Sequence, residues 1–168
     1  MAKEIERKFL VTGDAYRSAD SQVLRQGYLN RDKHRTVRVR TKGPHGFLTI
    51  KGITVGATRD EFEYAIPLAD ANQMLDCMCE RPLIEKRRYV FSYQGKKWEI
   101  DEFEGENAGL VIAEVELSDE RELFDKPEWV GQEVTHDTRY LNANLVEHPY
   151  CRWTDRRPFV PRDEHRGA

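Results

Sequence analysis

A chain of 168 residues, 34% charged and 39% hydrophobic, is long enough for one domain with a complete core, yet carries more charge than a small surface requires. Its 27 Lys and Arg nearly cancel its 30 Asp and Glu, and the net charge of −3 leaves no global field to gather a nucleic-acid polymer. No apolar stretch approaches the ~18 residues that span a bilayer and no leader pattern opens the chain, so a cytoplasmic protein without a membrane partner is expected.

The first strand is predicted over residues 4–11. Side chains alternate in an extended backbone, so Glu4, Glu6 and Lys8 share one face, while Ile5, Phe9 and Val11 share the other with Arg7 as a polar exception. A short helical turn over 16–19 precedes strands over 23–30, 36–41 and 47–51, joined by turns rich in Asp, Gly and Pro. A strand over 59–66 leads into a helix that Pro67 opens and that runs to Cys79, with Leu68, Asn72, Leu75 and Met78 at helical spacing. Strands over 83–93, 97–104 and 110–117 follow. Ser118 caps a predicted helix reaching Phe124 or Asp125, residues 127–132 read as loop, and a last helix is predicted over 137–146 with Tyr140, Leu141 and Leu145 on one side. From Pro149 the chain is rich in Arg and Pro (Arg152, Arg156, Arg157, Arg162, Arg166), which divides it into a domain over 1–148 and a solvated or loosely strapped tail over 149–168. Cys77, Cys79 and Cys151 match no disulfide framework, and the scattered histidines His34, His45, His136, His148 and His165 lack zinc-ligand spacing.

The alternation of the first strand recurs. Arg38 and Arg40, Lys51, Glu61 and Glu63, Lys86 and Arg88, Glu99 and Asp101, and Glu114 and Glu116 each sit at one parity of their strand, with apolar residues between. About eight short antiparallel strands predict a closed barrel, a mainly β fold with helices packed outside. An apolar interior would have to hold Phe9, Phe62, Tyr64, Tyr89, Phe91, Trp98 and Phe103, which are too large for it, so the charged parity is assigned to the inside. Buried charges of both signs must bind each other, water or a ligand. The cations suit a polyanion, since Arg forks match phosphate oxygens, and the carboxylates would repel that polyanion unless Mg²⁺ or Mn²⁺ lay between.

The opening EIERKFLV carries a Glu-x-Glu-x-Lys motif, and RVR, a Lys-ended strand, EFE, KRRY, a strand with Asp101 and EVE follow in order. In these features, and in the segment EVTHDTRYLNANL, the chain resembles the CYTH superfamily, the triphosphate tunnel metalloenzymes, and within it the short bacterial inorganic triphosphatases. The resemblance implies an eight-stranded antiparallel tunnel that binds triphosphates with Mg²⁺ or Mn²⁺. By matched position it implies phosphate contacts from Lys8, Arg38, Arg40, Lys51, Lys86 and Arg88, and metal coordination supplied or supported by Glu4, Glu6, Asp101, Glu114 and Glu116. Lys51, Glu61 and Glu63 are the catalytic candidates, one of the glutamates ordering a water or orienting Lys51; Tyr28 and Arg59 fit the tunnel mouth, and Glu99 matches by parity alone.

The expected activity is hydrolysis of a terminal phosphoanhydride in inorganic triphosphate or a related small triphosphate. A nucleoside triphosphatase or an adenylate cyclase on the same scaffold, and a non-catalytic polyphosphate-binding module, are the alternatives. Exposed aromatics make a homodimer an expectation without defining its interface.

Overall fold

The first strand closes the barrel. In the computed structural model, which describes residues 3–156, strand β1 (Lys3–Val11) pairs with β8 (Val111–Glu116) along one edge and with two partners along the other. Lys3–Ile5 pair with β5 (Thr58–Ile66), and Phe9 and Val11 pair with β9 (Val130–Glu133). The remaining strands are β2 (Asp20–Asn30), β3 (Thr36–Lys42), β4 (His45–Lys51), β6 (Ile84–Tyr93) and β7 (Lys96–Phe103). The order β5-β4-β3-β2-β6-β7-β8-β1-β9, with the extra β5–β1 pairing, makes a closed eight-stranded antiparallel barrel with one added strand. Closure at Lys3–Ile5 leaves the rest of that β1 edge to be covered by β9, so little open edge has to be protected.

Among the described residues, apolar side chains form three clusters. On the outer face, Phe9, Tyr89, Trp98, Ile100, Ala113 and Val115 are covered by Tyr16, Phe124 and Trp129 from the connecting segments. Also outside, Val39 and Leu48 receive helix α1 (Leu68–Cys77) through Ala71 and Leu75, with Cys79 just past the helix in the same cluster. Gly46 permits this close seat, since a Cβ there would stand 2.9 Å from the Ala71 Cβ. The third cluster fills one end of the barrel: Leu10, Tyr28, Ile84, Phe103 and Ile112, at inner-face parity, pack against Val134, Tyr140, Trp153, and Leu145 and Val146 of helix α2 (Asn142–Glu147).

Local expectations and structure part in several places. Residues 118–125 form turns instead of a helix, because Asp119 Oδ1 accepts from the Arg121 N–H and Ser118 bonds to Glu122, satisfying the backbone locally. Glu120 reaches away to the Ala57 N–H at 2.9 Å, and Phe124 is drawn against Phe9 and Trp98. The loop expected over 127–132 contains most of β9, held by the exposed β1 edge and by Arg7, whose guanidinium meets Glu133 at 2.7 Å. That ion pair accounts for a charge on the outer face of β1.

The helix expected over 137–146 breaks at extended Leu141 into a 3-10 turn (Thr138–Tyr140) and α2, with Asp137 accepting from the Arg139 N–H. α1 stops at Cys77, two residues before the expected end at Cys79; Ala71 and Leu75 take its buried face, Met78 just beyond it is 66% exposed, and Phe62 and Tyr64 also lie exposed outside the barrel. Tyr150 and Trp153 pack on the barrel. Arg157, Arg162, Arg166 and His165 lie outside the described residues. Among those described, the three cysteines are free and no helix is long and apolar enough to cross a membrane.

Candidate active site

The remainder of the barrel interior is a cavity of about 700 Å³. Every charged residue assigned inward from strand parity lines it except Asp101: Glu4, Glu6, Lys8, Arg38, Arg40, Lys51, Glu61, Glu63, Lys86, Arg88, Glu99, Glu114 and Glu116. Alternation puts them there, and the register sets them opposite one another. Glu6 faces Glu116 and Lys8 faces Glu114 across β1 and β8, while Arg38 and Arg40 stand beside Thr49 and Phe47 across β3 and β4.

One wall is basic. Arg40 Nη2 donates to Glu63 Oε1 at 3.1 Å, Thr49 Oγ1 donates to the same oxygen at 3.2 Å, and Arg38 Nη2 donates to Thr49 at 3.2 Å. The Nε groups of Arg38, Arg40 and Arg59 are buried with no hydrogen-bond partner among the described residues. Burial, and then the neighbouring Arg38 and Arg88, push Arg40 down to about 10. These guanidiniums are crowded, desolvated and short of acceptors, a condition an oxyanion relieves.

Farther along, Lys86 and Arg88 share Asp101 behind the wall. Lys86 Nζ is 2.8 Å from Asp101 Oδ2, and Arg88 grips the same carboxylate through Nε at 2.7 Å and Nη2 at 2.9 Å. Burial would raise the Asp101 carboxyl, but Arg88 and Lys86 hold it far below the usual range. Asp101 is 1% exposed and both its oxygens are taken, so it orients the two cations from behind. Burial brings Lys86 down to about 8.

The other wall is acidic. Lys8 Nζ lies 3.7 Å from Glu114 and 3.8 Å from Glu6, and Lys51 Nζ lies 3.1 Å from Glu4 and 3.2 Å from Glu61. Burial, reinforced by Glu114 and Glu4, pushes the Glu6 carboxyl up to about 8. Burial, with Arg38 nearby, lowers Lys51 to about 8. At Glu4, burial is outweighed by the Lys51 ammonium, which holds the carboxyl below its ordinary value.

This donor set fits a divalent cation. Glu6 is a buried oxygen donor whose charge is under-compensated, with Glu4, Glu114 and Glu116 beside it, and hard cations such as Mg²⁺ take such oxygens together with waters. Among the described residues no three His, Cys, Asp or Glu side chains are already gathered as a ligand set; Lys8 stands near Glu6 and Glu114, and Lys51 near Glu4 and Glu61.

Glu99, placed by parity alone, pairs with Arg88 at 2.6 Å. The lining also contains residues not singled out from the sequence. Arg31, Lys33, Lys42 and Lys97 add cations from turns and strand ends, and Thr138, Leu141, Asn142, Ala143 and Asn144 enter from the C-terminal segment. Lys42 and Lys97 continue the parity of Arg40 and Glu99 and were legible on that ground. Asn142 follows no strand period. Tyr28 and Arg59, expected at the mouth, line the cavity.

Residues 2–150 match the family model described as the CYTH domain. An inorganic triphosphatase of Acetivibrio thermocellus is 57% identical over 151 residues, which cover 89% of this chain and 97% of that protein. One from Nitrosomonas europaea is 37% identical over 147 residues, 85% of this chain and 96% of that one. A crystal structure of an inorganic triphosphatase superposes with a TM-score of 0.63 at 34% identity, over 84% of this chain and 96% of that chain.

Proposed function

We propose that this chain, which belongs to the CYTH domain family, is a metal-dependent inorganic triphosphatase that cleaves a terminal phosphoanhydride of tripolyphosphate inside its barrel. The observation that carries this reading is one enclosed cavity with the Arg38, Arg40, Lys86 and Arg88 cations on one wall and the Glu4, Glu6, Glu114 and Glu116 carboxylates on the other.

Arg38, Arg40 and Arg88 would grip bridging and terminal phosphate oxygens, with the orphaned Nε groups of Arg38 and Arg40 gaining acceptors. Lys8 and Lys86 would add point charges. Glu63, by holding Arg40 and Thr49, sets the angle of that wall. Glu4, Glu6, Glu114 and Glu116 would hold Mg²⁺ or Mn²⁺, with Asp101 supporting through Arg88 and Lys86, and the bound ion would neutralise phosphate charge.

Lys51, lowered to about 8 and held between Glu4 and Glu61, is suited to take a proton from an attacking water near neutral pH, with Glu61 orienting its Nζ. In-line attack on the terminal phosphorus then releases orthophosphate, while the guanidiniums stabilise charge on the departing pyrophosphate. The ligand is a small triphosphate, since the cations are concentrated inside a cavity and not along an outer stripe that could track a nucleic-acid polymer.

Orthophosphate release by the purified protein from tripolyphosphate and from ATP, with Mg²⁺, with Mn²⁺ and with a chelator, tests this. Metal-dependent release that favours tripolyphosphate is expected. Absence of turnover with every ion, or cyclic AMP from ATP, contradicts it.

A further inference from the structure

Asn142 is the first residue of α2 and lines the cavity where the charged interior meets the apolar end. Its Oδ1 accepts from Lys86 Nζ at 2.9 Å and from Gln26 Nε2 at 3.2 Å. An ammonium donates only, so the atom facing Lys86 must be the carbonyl oxygen, which fixes the amide's orientation. The NH₂ is then turned away from both donors, and the structure gives it no hydrogen bond among the described residues, nor is it buried.

The support behind this amide is costly. Gln26 is 0% exposed, and its own Oε1 is buried without a partner among the described residues. An unpaired buried carbonyl opposes folding. Among the described residues Gln26 makes its one side-chain hydrogen bond to Asn142, and Lys86 is itself held from behind by Asp101. Two side chains, from β2 and β6, thus hold one neutral amide from the C-terminal segment with its donor end free, and Asp101 of β7 backs one of them. A pair of N–H groups beside Lys86, in a cavity lined by many cations, suits an oxygen of a phosphate.

Resting on the triphosphatase reading, we propose that Asn142 is a substrate-binding residue whose side-chain NH₂ donates to an oxygen of the phosphate held by Lys86, at the closed end of the cavity. The phosphate there is placed as a free chain end, because Leu141, Ala143 and the apolar cluster that fills this end of the barrel stand against it. Tripolyphosphate satisfies that condition from either end, and a nucleoside triphosphate only from its γ end.

Steady-state kinetics of Asn142→Ala and Asn142→Asp with tripolyphosphate separate this contact from a merely structural role. Aspartate keeps the oxygen that Lys86 and Gln26 require but replaces the NH₂ with an acceptor; alanine removes both. The expected order of KM is wild type, then Asn142→Ala raised about tenfold, then Asn142→Asp raised further; the melting temperature of Asn142→Asp stays close to wild type and that of Asn142→Ala falls, because buried Gln26 loses its partner. Near-wild-type KM for Asn142→Asp, with Asn142→Ala impaired, would mean that Asn142 only positions Lys86 and would overturn the proposal. If Asn142→Ala does not fold, tripolyphosphate affinity of Asn142→Asp by calorimetry decides, weakened affinity supporting the contact and unchanged affinity overturning it; if Asn142→Asp does not fold, unchanged affinity of Asn142→Ala overturns the contact. A wild-type protein that leaves tripolyphosphate intact refutes the triphosphatase reading itself, an outcome distinct from either variant result.

Discussion

The inner face of this barrel is a single alternating surface with two chemically opposite halves. Along β1 the inward positions are Glu4, Glu6 and Lys8 and then Leu10; along β6 they are Arg88 and Lys86 and then Ile84; along β7, Glu99 and Asp101 and then Phe103; along β8, Glu116 and Glu114 and then Ile112. The apolar half is sealed by Leu145, Val146 and Trp153 and contributes to stability as a core does. The charged half must be compensated at every group, and burial leaves Glu6, Lys51 and Lys86 shifted toward their neutral forms. Substitution in one half should therefore act on stability with little effect on chemistry, and substitution in the other should do the reverse.

The largest expected effect is at Glu6. Glu6→Gln should lower metal-dependent turnover by about 100-fold or more, while the melting temperature stays equal to or above wild type. A large loss of stability would make the charged half a structural core after all. Arg40→Ala should raise KM for tripolyphosphate by roughly tenfold or more, since it removes a charge-assisted contact, with a smaller change in kcat. In the other half, Trp153→Ala should cost about 3 kcal/mol in denaturant unfolding, with KM near wild type at temperatures where the variant stays folded.

A titration sharpens the contrast. The folded-state pKa of Glu6 is raised to about 8 from 4.5, so the native state holds a proton that the unfolded state has lost between those values. Stability of the metal-free protein should then fall as pH rises from 5 to 8, by roughly 5 °C in melting temperature, and Glu6→Gln should flatten that slope. The smallest effect belongs to the outer wall. Tyr64→Ser, at a 56% exposed position, should change stability by about 0.5 kcal/mol or less and leave kinetics unchanged, which serves as the control for both halves.

The strands were legible because β-branched and aromatic residues alternate with charges in runs bounded by Gly, Pro and Asp. The inward direction of the charges was legible from repetition, since the outward parity holds side chains such as Trp98 that no small barrel interior could take. What strand period does not reveal is where the inner face turns apolar. Ile84, Phe103 and Ile112 keep the parity of Lys86, Asp101 and Glu114, and only the return of the C-terminal segment explains the change. Asn142 escaped for the same reason: it reaches the cavity from a short helix whose start depends on the break at Leu141. Asp101 shares the inward parity yet sits behind the lining, because Lys86 and Arg88 close over it. β9 is four residues long with a glycine, too short for periodicity to register, and it forms because β1 offers an unpaired edge.

The central claim is that side chains of both signs line one interior that takes a triphosphate and a divalent cation together. Crystals grown with Mn²⁺ and tripolyphosphate, analysed by anomalous scattering, test it most directly. The account predicts a manganese peak among the carboxylates of Glu4, Glu6, Glu114 and Glu116, with the phosphate chain running from it along Arg38, Arg40 and Arg88. Manganese and phosphate bound on the outer wall, with the interior free of both, would contradict it.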